Sequence, residues 1–211
     1  MSPYATRHIG LASRLLAPPK GLRVAHWYAT VSLVGFLLVV AWPSLFGLLA
    51  LPSGGSLNWR TFTGVVTHPF VPPSAWGWAW PAAFVYLSAY LLQRHLDDLK
   101  QLYLFSAGLL VGGTTLLLTS RESVAFVGGG LPAWSYSAAA VVLGVKEWHS
   151  LRWPWRVFVI WVGLSLVLRG MDFSNPQRSL SAAAIAGAVL VTIWSRGWLL
   201  TPTDGDRPRA V

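Results

Sequence analysis

Cysteine is absent from this 211-residue chain, which excludes disulfides and every thiolate-based metal or nucleophile site. Charge is nearly as scarce. Charged residues make up 11% of the chain, against roughly 25% in soluble domains, and only seven residues are acidic. So thin a polar coat rules out an ordinary soluble globule, and the apolar richness rules out a disordered tail. No internal repeat or low-complexity run is present. What the chain has in excess is hydrophobic: 54% AVILMFWYC, a mean hydropathy of +0.53 and 13 Trp. Trp favours the membrane–water boundary, where an amphipathic ring fits. The formal charge of +9 raises nucleic acid as a partner. No basic groove interleaved with stacking aromatics accompanies it, so nucleic acid is not expected.

A spanning helix needs about 20 apolar residues. Six segments qualify as candidates: 24–50, 77–94, 99–119, 132–146, 153–170 and 179–200. The first is interrupted by Pro43, which a membrane helix accommodates as a kink. The fourth is short and needs independent support, which charge placement provides. With six spans and a cytoplasmic N-terminus, the inner side holds Arg7, Arg14, Lys20, Arg23, Arg94, Lys100, Lys146, Arg152, Arg156, Arg196, Arg207 and Arg209. The outer side holds Arg60, Arg121, Arg169 and Arg178. That is twelve against four, a strong positive-inside bias; dropping the fourth span makes it eight against eight. The expected organisation is a basic cytoplasmic leader (1–23), a six-helix membrane domain (24–200) and a polar cytoplasmic tail (201–211). The basic face is expected to meet lipid headgroups, and the pattern suits a bacterial inner membrane.

Small residues mark where helices approach closely in lipid: Gly108, Gly112 and Gly113 on the third span, Ser135, Ser137, Ala138–Ala140 and Gly144 on the fourth, Ser181–Ala184 and Gly187 on the sixth. They predict a bundle centred on the fourth span, packed against the second and sixth. In the long first loop, Thr61–Val71 is apolar enough to lie partly in the interface. Asp97-Asp98 is expected to cap the third helix at its positive dipole end rather than to bind a metal. None of the seven acids falls mid-membrane, where transport places ionisable groups.

The order of several short motifs resembles that of the rhomboid intramembrane proteases, from about Trp59 to Gly197. Trp59-Arg60 and Thr67-His68-Pro69-Phe70 look like the end of the rhomboid first loop. Leu92-Gln93-Arg94-His95-Leu96 looks like the end of its second helix, with Gln93 where many members carry Glu. Gly130-Leu131-Pro132-Ala133 with Tyr136 has the spacing of the Gly-x-Ser-Gly nucleophile turn and the Tyr beneath the catalytic His. Arg169-Gly170-Met171-Asp172 and the Ala-rich stretch to Gly187 look like the approach to the sixth helix.

The resemblance implies a Ser nucleophile on the fourth helix, a His base on the sixth, and an oxyanion site from His and Asn on the second. Each position is degenerate here. Pro132 stands for the Ser and has neither hydroxyl nor N–H. The base falls between Leu180 and Ala184, and no His follows His149 anywhere in the chain. The oxyanion positions correspond to Gly77 and Pro81; the other register gives Pro73 and Gly77. The expectation is therefore a non-catalytic rhomboid-like protein that binds another integral membrane protein, as a complex subunit or as a factor that holds a client helix. The resemblance implies a lateral opening near the second and fifth helices. Trp80, Phe84 and Leu87, with Trp161, Leu164 and Leu168, each follow helical i, i+3/i+4, i+7 spacing and are the candidate partner face.

Two alternatives follow from the same residues. One is a serine protease with a displaced nucleophile, Ser135 or Ser137; the other is a haem- or pigment-carrying subunit using His26, His95 and His149. Neither metal nor cofactor is expected.

Overall fold

The computed structural model describes residues 21–50, 59–119, 129–171 and 175–195. The expected leader up to residue 20, the tail, Glu122 and Asp172 lie outside the described residues. Within them every regular element is helical and no strand occurs. The helices follow long apolar runs that lack the period-two alternation of a strand and are punctuated by Pro, Gly, Ser and Asp.

They are α1 (Arg23–Ala41), α2 (Ser44–Leu49), α3 (Trp59–Thr67), a 3-10 turn at His68–Phe70, α4 (Ala75–Leu92), α5 (Asp98–Thr119), α6 (Gly130–Lys146), a second 3-10 turn at Trp148–Ser150, α7 (Trp153–Gly170) and α8 (Asn175–Ile193). Two of these, α1 and α5, are long and apolar enough to cross a membrane; Trp153–Leu168 and Gln177–Ile193 are apolar but shorter.

The first predicted segment is corrected at Pro43. The chain breaks there instead of kinking: Trp42 leaves helical geometry at φ −134°, ψ 84°, and its N–H closes α1 on the Leu38 carbonyl. A residue before proline is disfavoured in the α region, and proline has no N–H to continue the ladder. Side-chain caps open two of the other helices, the one at Asp97 as expected. Ser74 Oγ accepts from Gly77 N at 2.9 Å and opens α4, and Asp97 Oδ1 accepts from Lys100 N at 2.8 Å and opens α5.

The centre falls on α6, which packs against α4, α5, α7 and α8. Leu131, Ser135, Tyr136, Ala139 and Ala140 of this helix are wholly buried. The expected neighbours α4 and α8 are there, and α5 joins them, lying against both α6 and α8. Glycine permits this approach. A methyl group at Gly108 would overlap Ser135 Cβ, and one at Gly187 would overlap the Ser135 carbonyl. Between these glycines Ser135 Oγ donates to the Leu104 carbonyl at 3.0 Å, tying α6 to α5.

The next residue, Tyr136, donates from Oη to the Gln101 carbonyl at 2.9 Å. Gln101 Nε2 reaches the Gly21 carbonyl at 2.5 Å, and Gly21 N donates to Asp98 Oδ1 at 2.9 Å. Asp98 thus anchors the start of α1, while Asp97 is the cap.

Candidate functional site

Pro81 lies inside α4. Without an N–H it leaves the Gly77 carbonyl short of its usual i+4 donor. Facing this stretch is the first turn of α6, where Gly129 supplies no side-chain cap and Pro132 supplies no N–H. The amides of Gly130 and Leu131 stand at positions that have no intrahelical acceptor. Gly129 is required here by contact: a methyl on it would overlap the Tyr28 hydroxyl. Two imperfect helix segments therefore face each other, and a cavity of about 310 Å³ lies between them.

Its walls come from five places: Pro73; Gly77, Trp80, Pro81 and Phe84 of α4; Gly129 with Gly130, Ala133, Trp134 and Ser137 of α6; Trp161, Val162, Ser165 and Leu166 of α7; and Leu180 of α8. No ionisable side chain is among them. Ser165 Oγ donates to the Trp161 carbonyl at 2.8 Å. Ser137 is 3% exposed, and its Oγ has no hydrogen-bond partner.

The positions expected to be degenerate divide in a consistent way. Gly77, Pro81 and Leu180 line the cavity. Pro132 is buried just behind its wall, and Ala184 is half-buried one turn further along α8. The two serines separate as well. Ser135 is a packing residue bonded to Leu104, whereas Ser137 faces the cavity without a base among its lining residues.

The candidate partner residues also divide. Trp80 and Phe84 meet Trp161 across the gap, with Trp80 and Trp161 still partly exposed. Trp80 and Trp161 are edge to face with centroids 5.6 Å apart, Phe84 and Trp161 are tilted at 5.2 Å, and Phe84 reaches Phe158 at 6.4 Å. The backbones of α4 and α7 scarcely approach one another, and aromatic side chains bridge the gap between them. Leu87, Leu164 and Leu168 are exposed outside it.

The three histidines weighed as ligands are not brought together. His95 Nε2 lies 2.7 Å from Glu147 Oε1, the His149 carbonyl accepts from Arg156 at 3.2 Å, and His26 is half-buried at the start of α1. Among the described residues no group of three or more His, Asp or Glu converges. His68 is wholly buried in the 3-10 turn. Its Nδ1 lies 3.0 Å from the Gly64 carbonyl and 2.9 Å from that of Val65, and burial pushes its pKa down from 6.5 to about 4.

Sequence reasoning missed Trp134 and Ser165 as cavity residues. Trp134 reads in sequence like any other Trp suited to a membrane boundary, and Ser165 carries no signal beyond being a hydroxyl in an apolar run. Comparison of the chain with protein-family models, with curated proteins and with solved structures gave no match.

Proposed function

We propose that the chain is a non-catalytic, rhomboid-like membrane protein of six spanning helices, with both ends cytoplasmic in a bacterial inner membrane, that binds a transmembrane segment of another membrane protein. The observation that carries the reading is the aromatic seam of Trp80, Phe84 and Trp161. It closes a cavity that holds three of the degenerate catalytic positions and no ionisable side chain. A seam made only of side chains parts without breaking helix–helix backbone packing, which is what lateral admission of a helix requires.

Several features support the membrane setting. The exterior of the bundle presents Leu37 and Val40 of α1, Leu110 and Leu118 of α5, Ile160 and Val167 of α7, and Ile185 and Val189 of α8. Apolar exposure on this scale marks a membrane or a protein interface. Helices α4, α6, α7 and α8, of 18, 17, 18 and 19 residues, rise about 26–28 Å, close to the roughly 30 Å hydrocarbon core. In α3 the exposed Trp59, Phe62 and Val66 form one apolar stripe opposite the buried Thr61, Gly64 and Val65, as an interfacial helix does.

Photo-crosslinking tests the reading. A diazirine amino acid at Leu87 or Leu164, beside the seam, is expected to capture one apolar segment of a partner in native membranes, and the same probe at Leu37 on α1 is not. Equal capture from all three positions would overturn it. Covalent fluorophosphonate labelling lost in Ser137→Ala would establish the protease alternative instead, and a Soret or chlorin band in the purified protein the pigment alternative.

A further inference from the structure

The geometry points to a resident ligand in the α4–α6–α7 cavity: a neutral acylglycerol, held by an ester carbonyl and a free hydroxyl with one acyl chain among the aromatic rings. The cavity's polar inventory is short and uncharged. Donors come from the first turn of α6, where the amide of the lining residue Gly130 has no intrahelical acceptor, and from Ser137, whose buried Oγ meets no partner. An acceptor comes from the Gly77 carbonyl, freed by Pro81. Unmet polar groups in an apolar interior cost free energy, so an occupant that satisfies both kinds is favoured over hydrocarbon alone.

The remaining walls decide the rest of the ligand. Trp80, Phe84, Trp134 and Trp161 present hydrocarbon-compatible surface, and no side chain bears a charge. A phosphate or carboxylate headgroup would sit there without a counter-ion, which low-dielectric surroundings penalise strongly. At about 310 Å³ the space is at the lower bound of small-molecule pockets. It takes the ester region and the first part of one chain, not a whole diacyl lipid.

This inference rests on the bundle lying in a bilayer, and on nothing about the partner protein. The test uses the full chain purified in mild detergent and three photoreactive probes of equal chain length: a monoacylglycerol with a diazirine tail, its ether analogue, and the corresponding phosphatidylglycerol. The monoacylglycerol is expected to label peptides of α4, α6 and α7. It should do so at a half-saturating concentration about threefold to tenfold below that of the ether, the effect of one hydrogen bond to a buried donor. Ser137→Ala is expected to narrow that difference while the helical content and melting temperature stay as in the wild type. Equal labelling by ester and ether probes, labelling best with phosphatidylglycerol, or labelling spread over α1 would overturn the proposal. The wild-type ester–ether comparison decides even if the variant does not fold. If the chain stays soluble and monodisperse with no detergent, the bilayer reading fails, and the ligand proposal fails with it. Loss of partner crosslinking alone leaves the probe result standing.

Discussion

Trp80 on α4 and Trp161 on α7 meet edge to face, centroids 5.6 Å apart and ring planes at 90°, across a gap their helix backbones leave open. Edge-to-face pairs contribute about 0.5–1.5 kcal/mol beyond the area they bury. That is large enough to keep a wall shut and small enough for a docking helix to displace. Trp80→Ala and Trp161→Ala are each expected to leave the melting temperature within a few degrees of wild type. A double-mutant cycle should show coupling of about 1 kcal/mol. Spin labels at Leu87 and Leu164 are expected to report a wider or broader distance distribution in either variant. An unchanged distribution would mean that the seam does not hold α4 and α7 together.

Ser135 is flanked by Gly108 and Gly187 so closely that neither position has room for a methyl group. Gly187→Leu forces α8 off the Ser135 carbonyl and is expected to cost about 3 kcal/mol or more, since overpacking against backbone relaxes poorly. It should abolish a folded, monodisperse species in detergent. Ser135→Ala is milder, removing one bond to the Leu104 carbonyl at a cost of about 1 kcal/mol. If Ser135→Ala proves as damaging as Gly187→Leu, the glycine contacts do not set the helix spacing.

Much of this was legible beforehand, and the reasons are local. The small-residue stripes of the third, fourth and sixth segments marked the centre of the bundle, because close approach in an apolar medium needs side chains that are nearly absent. Pro132 fitted the first turn of a helix from its missing N–H alone. The start of the third segment at Asp97-Asp98 also followed from capping chemistry. The break at Pro43 was not legible, since proline kinks some membrane helices and ends others, and the choice depends on what Trp42 and the following turn pack against. Nor was the partition of the aromatic residues. Spacing put Trp80 and Phe84 on one face of α4, but whether that face meets lipid or Trp161 is a tertiary fact. Ser137 and Ser135 are two residues apart and indistinguishable by type. Only the helix's rotation sends one to the cavity and the other to α5.

The absence of cysteine makes the proposed topology simple to test, because one introduced thiol is the only one in the chain. Trp59 is exposed at the start of α3 and belongs to the outer side in the six-span reading; Ser150, exposed in the second 3-10 turn, belongs to the inner side. A membrane-impermeant maleimide added to intact cells is expected to label Trp59→Cys and to label Ser150→Cys only after permeabilisation. Labelling of both without permeabilisation would remove a crossing from between them, and loss of the short fourth span would abolish the charge asymmetry.

His68 carries the last prediction. Its ring is wholly buried in the turn after α3, and the neutral form is the one that fits: Nδ1–H donates to the Gly64 and Val65 carbonyls. Burial outweighs those bonds and lowers the pKa from 6.5 to about 4. The unfolded chain therefore takes up a proton before the folded one does. Stability from this residue is fully present above pH 6.5, falls as the pH drops from 6.5 to about 4, and changes no further below. The span corresponds to roughly 3 kcal/mol, enough to lower the melting temperature by several degrees. Thermal unfolding in mild detergent between pH 4 and 7.5 is expected to show this slope. His68→Phe, which fills the same space without a titratable nitrogen, is expected to flatten it. A wild-type melting temperature constant over that range would mean that the imidazole is reached by water and is not sealed beneath α3.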